Sequence, residues 1–163
     1  MNKFIEAYNN LLTEQILTHI KQQLLKYFNK TTWEEYIDSL KFGQCQKIAK
    51  IVYFCCPQLV EIYSGTEQFP QDVITQLNAL CDNNEMIATH YIVKINDRFY
   101  DFGKGANTVN NIYLIGTNKE KYNIEMTEAE LNCFEELIFR DPDSLYHIKV
   151  NQRKIKPFKL FNL

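Results

Sequence analysis

The sequence predicts an α+β domain in which N-terminal helices pack against an antiparallel sheet. Three observations predict it. Apolar residues recur every three or four positions from Phe4 to Val52, β-branched and aromatic residues alternate from Leu59 onward, and the turn-forming pair Asn96-Asp97 separates two β-rich runs. The 163 residues are enough for a single domain with a sizeable core. Its core is expected over about residues 31–116, followed by a helix and strand over 127–151 and a basic-aromatic tail over 152–163.

Residues 3–28 carry the longest helical pattern, with Phe4, Ala7, Tyr8, Leu11, Leu12, Ile16, Ile20, Leu24 and Phe28 on one face. His19 lies beside that stripe with no Cys, Asp or second His at helical spacing, so it reads as a boundary or surface residue. Thr31-Thr32-Trp33-Glu34 resembles a capping box opening a short helix to about Leu40, with Trp33, Tyr36, Ile37 and Leu40 facing inward. Gly43 turns the chain into a helix that begins near Cys45, buries Ile48, Ala49, Ile51 and Val52, and is stopped by Pro57.

Leu59 to Tyr63 reads as a strand closed by Ser64-Gly65. Pro70 opens a helix of roughly ten residues with Val73, Ile74, Leu77 and Leu80 as its stripe. The polar loop Asp82 to Glu85 delivers the chain to a hairpin whose strands flank Asn96-Asp97. Lys104 to Asn111 reads as a polar loop, and Ile112 to Ile115 as a buried strand ended by Gly116. Thr127 and Glu130 form a second capping-box match, heading a helix to about Phe139. Asp141-Pro142-Asp143 breaks that helix before a strand from Leu145 to Val150, on which His147 takes the exposed face. The tail from Arg153 to Asn162 is expected to be a docking arm or an edge strand.

Composition narrows the function classes. A net charge of −2 supplies no electrostatic case for nucleic acid or for an acidic membrane surface. No apolar run reaches the length of a membrane span, and no signal-peptide core is present. The five cysteines, at 45, 55, 56, 81 and 133, are an odd number and read as reduced thiols in a cytoplasmic compartment. They lack the paired spacing of a zinc site, so no metal is expected. Asp101-Phe102-Gly103 matches a kinase triplet but has no accompanying kinase motif, and Gly103-Lys104-Gly105 lacks the phosphate-loop spacing.

Chemistry concentrates in two stretches. Cys45 sits on the first turn of its helix, among unpaired backbone N–H groups and at the positive end of the dipole, and both favour a thiolate. If Asn96 and Asp97 form the two-residue loop, Ile95 faces Arg98 and Ile92 faces Asp101. His90 shares a face with Ile92, which makes His90 and Asp101 diagonal cross-strand neighbours.

The order of helix, Gly-x-Cys helix, strand, His strand, turn and Asp strand resembles that of papain-like and transglutaminase-like cysteine enzymes. The residues that carry the resemblance are Gly43-Gln44-Cys45 with Ala49, Val60 to Gly65, Thr89 to Val93, and Phe99-Tyr100-Asp101. It implies Cys45 as nucleophile, His90 as general base and acid, and Asp101 as the group that orients the imidazole. Ser39 stands where papain-like proteases place an oxyanion glutamine, so the Cys45 backbone N–H with Gln44 or Gln46 is expected to fill that role. The implied activity is hydrolysis of a peptide or amide bond in a protein or peptide-like substrate, with deamidation and acyl transfer sharing the chemistry and no cofactor needed. The alternative is a catalytically inactive member of the same fold, a viral or bacterial protein-binding module or effector. A third reading makes Cys45 a plain core residue.

Overall fold

A computed structural model describes residues 2–41, 43–67, 75, 89–109, 112–113, 120–138 and 149–160. Helix α1 (Lys3–Tyr27) starts at Asn2, whose side-chain oxygen accepts the Phe4 N–H at 2.9 Å. Its apolar stripe is used unevenly. Residues four apart drift by about 40° per step, so the stripe winds around the helix. Ile16, Ile20 and Leu24 are fully buried, whereas Phe4, Tyr8 and Leu11 project into solvent. Ile20→Ala is therefore expected to cost about 2–5 kcal/mol. The half-buried Leu17→Ala should cost clearly less by urea denaturation, and equal costs would contradict this placement.

Helix α2 (Trp33–Ser39) is capped by Thr32, which accepts the Glu35 N–H at 3.2 Å, while Glu35 Oε2 accepts the Thr31 N–H at 3.2 Å. The cap thus sits one residue beyond the Thr31/Glu34 match in the sequence. Gly43, with φ of 93°, makes the left-handed turn that starts helix α3 (Cys45–Cys55). Ile48, Ala49, Ile51 and Val52 are buried on α3 as its periodicity predicts.

Four strands form an antiparallel sheet: β1 (Glu61–Glu67), β2 (Thr89–Ile95), β3 (Arg98–Tyr100) and β6 (Phe134–Ile138), in the order β3-β2-β1-β6. The expected end of β1 at Ser64-Gly65 is not observed. Gly65 pairs with His90 on one side and Leu137 on the other, and this two-sided pairing outweighs glycine's poor strand preference. The hairpin follows the expected register, with Ile95 opposite Arg98 and Val93 opposite Tyr100. Asn96 (φ 47°) and Asp97 (φ 65°) both take the left-handed conformation of a two-residue hairpin loop.

Two further expectations are corrected. Lys104 to Asn107 is a 3-10 turn rather than open loop, and it leads into β4 (Thr108–Val109). Of the strand expected at 112–115, β5 (Ile112–Tyr113) is described, and it pairs with β4 in a two-stranded ribbon. Helix α4 (Glu128–Leu131) has the predicted capping box but stops well short of Phe139. The chain beyond it becomes β6, because the open edge of β1 offers backbone partners that a longer helix would leave unused.

The expected Pro70 helix (apart from Thr75, which is helical), the Asp82–Glu85 loop, residues 114–116, the 141–143 break and His147 lie outside the described residues. Of the expected strand at 145–150, Lys149 and Val150 are described and are not in a strand. The tail is a docking arm, not an edge strand. Ile155 is buried, the Phe158 N–H donates to Cys55 O at 2.6 Å, and the Phe158 ring meets His19 edge-on at 5.5 Å.

The sheet separates two apolar clusters. Ile62, Val93, Ile95 and Tyr100 pack with α1, α2 and α3, while Tyr63, Ile92, Met126 and Phe134 form the second cluster. The period-2 alternation of β1 and β2 explains the division. No helix among the described residues is long and apolar enough to cross a membrane.

Candidate active site

Cys45 is the first residue of α3 and is 7% exposed, with Sγ 4.0 Å from Thr89 O, the outer limit of a thiol hydrogen bond. The thiol therefore abuts β2 at the residue preceding His90. His90 is 1% exposed, and its Nε2 lies 2.7 Å from Oδ2 of the fully buried Asp101. A carboxylate only accepts, so this bond places the ring proton on Nε2. The other Asp101 oxygen, Oδ1, accepts the Gly103 N–H at 3.0 Å. The Phe134 ring stacks on His90 at 6.1 Å.

Gly103 lies beside both Cys45 and the Asp101 carboxylate. A Cβ placed on it would stand 3.5 Å from Cys45 Cα and 3.7 Å from Asp101 Oδ1. Cys45 and Asp101, distant in sequence, thus border the same small space. Tyr36 supports the loop from beneath by donating its hydroxyl to Phe102 O at 2.9 Å. Burial, followed by the charge of Asp101, pushes the Tyr36 phenol well above its usual range and keeps it a donor.

A second polar pair anchors the far end of this loop. Lys104 and Glu130 are both completely buried, with Nζ 3.0 Å from Oε2 and 3.1 Å from Oε1. Glu130 also accepts the Thr127 N–H at 3.1 Å, so one side chain caps α4 and holds the lysine. The sequence marks Glu130 only as a capping-box residue and does not join it to Lys104, because the partners stand 26 positions apart and no local pattern links them. The Gly103 bond did have a local signal: an Asp followed two residues later by a backbone donor is an Asx turn.

The glutamines are less directly placed. Gln44 occupies the N-cap position of α3, but its Oε1 turns back to accept the Lys41 N–H at 2.7 Å. Gln46 is half-buried on the first turn. Cys55 is buried at the far end of α3, and desolvation with the charge of Cys56 pushes its thiol up to about 12. Desolvation raises Cys56 as well. Among the described residues no group of three His, Cys, Asp or Glu side chains is arranged to hold a metal ion.

The molecule is an α+β protein with a buried Cys, His and Asp constellation. No family model, curated protein or solved structure matches this chain.

Proposed function

We propose that this chain is a small papain-like or transglutaminase-like cysteine enzyme that hydrolyses a peptide or amide bond. The observation that carries the reading is the 2.7 Å His90–Asp101 hydrogen bond, buried on both sides, beside a helix that starts at Cys45. Because Asp101 engages Nε2, the proton exchanged with the thiol is carried at Nδ1. Cys45 Sγ attacks the carbonyl carbon and passes its proton to His90. His90 returns that proton to the leaving amine as the C–N bond breaks, and water then hydrolyses the thioester. The Cys45 backbone N–H, with Gln44 or Gln46, stabilises the oxyanion.

Iodoacetamide labelling of the native protein against pH, read peptide by peptide, tests this proposal. Cys45 acting with His90 should label faster below pH 7 than the half-exposed Cys133. His90→Ala should abolish the advantage. If Cys45 labels no faster than Cys133, or only on unfolding, the enzyme reading fails. A second reading, an inactive member of the fold that serves as a binding module, is favoured by the low exposure of Cys45 and His90, and it predicts that failure.

A further inference from the structure

Five large hydrophobic side chains are exposed among the described residues, and four of them, Phe4, Ile5, Tyr8 and Leu11, lie on the N-terminal half of α1. Single exposed apolar residues need no explanation, but a contiguous set marks an interaction surface. At about 100° per residue, Phe4, Tyr8, Leu11 and Gln15 fall within about 60° of one another and form one stripe. Beside it, between α1 and the C-terminal segment, runs a groove of about 440 Å³, walled by Tyr8, Leu11, Leu12, His19, Phe158 and Leu160.

This stripe is complementary to itself when turned end for end. In an antiparallel pair of α1 helices with a two-fold axis beside Tyr8, Tyr8 meets its own counterpart. Phe4 then falls over Leu11 and Leu12 of the second copy, at the mouth of its groove, and Ile5 falls over Leu12. The exposed Lys3 and Glu14 lie on one flank of the stripe, and the same register sets each lysine beside the glutamate of the other copy. One register therefore satisfies the apolar stripe, the groove and both pairs of opposite charges.

We propose that this face joins two copies of the chain in a symmetric antiparallel α1–α1 contact, with Phe4 of each copy seated in the groove of the other. The contact is small, so it is sought by sedimentation velocity on the full chain at about 100 µM. The expected species has twice the chain mass. Phe4→Asp and Leu11→Asp, both at exposed positions, should each return it to monomer with unchanged circular dichroism. Tyr8→Cys should give a covalent dimer on mild oxidation, and Asn10→Cys, on the opposite side of the helix, should not. A monomer at that concentration, a dimer that survives both aspartates, or equal cross-linking of the two cysteine variants overturns the proposal.

Discussion

Glu130→Ala should lower the free energy of unfolding by about 3–5 kcal/mol, the cost of leaving one charge of a buried pair without its counterion. Lys104 and Glu130 have no exposure to solvent, so the lysine charge is left buried without its counterion. The variant also loses the acceptor for the Thr127 N–H and with it half of the α4 capping box. In a chain of this size the loss corresponds to a fall in melting temperature of about 6–20 °C. The exposed Glu128→Ala, two residues away, should stay within about 0.5 kcal/mol of the parent. Lys104→Met combined with Glu130→Leu removes both charges and should be less damaging than Glu130→Ala alone. If Glu130→Ala and Glu128→Ala melt alike, the ion pair does not hold this loop.

Gly105→Ala should be comparably severe for a different reason. A Cβ at that position would overlap the Ile37 carbonyl oxygen and lie 2.9 Å from the Ile37 carbonyl carbon. Both atoms are backbone of α2, so the helix itself must move. The expected cost is above about 3 kcal/mol, the upper end of overpacking. Two other glycines calibrate it. Gly43→Ala meets no atom within 4 Å but keeps φ at 93°, which should cost about 1–2 kcal/mol. Gly103→Ala meets the terminal methyl of the Ile48 side chain at 3.3 Å rather than backbone and should be the mildest of the three. Urea denaturation of the set checks the order, and a Gly105→Ala no worse than Gly103→Ala would rule out the close approach of α2 and the 3-10 turn.

Legibility tracked the range of the interaction. The His90–Asp101 pairing was readable because a two-residue hairpin loop fixes which residues oppose each other, and both side chains lie within a dozen positions of the turn. The starts of α3 and α4 were readable because a glycine turn and a capping box act over three or four residues, and that of α1 because its apolar period begins at Phe4. The Thr32 cap was misplaced by one residue because Thr31 and Thr32 offer the same hydroxyl, and only the bond to the Glu35 N–H distinguishes them. The run from Cys133 to Ile138 was misread as helix because its choice depended on the unpaired edge of β1, about 70 positions earlier.

Thus the residues themselves determined an α+β chain, a helix opening at Cys45, and a histidine on one hairpin strand opposite an aspartate just past the end of the other, because each of these follows from local backbone geometry and side-chain period. Tertiary structure alone decided that β1 continues through Gly65, that the stripe of α1 is half buried and half bare, and that Lys104 meets Glu130 out of water. It also decided that Cys45 and Asp101 both border Gly103. These outcomes depend on which surfaces compete for the same partner, and that competition exists only once the helices and the sheet have come together.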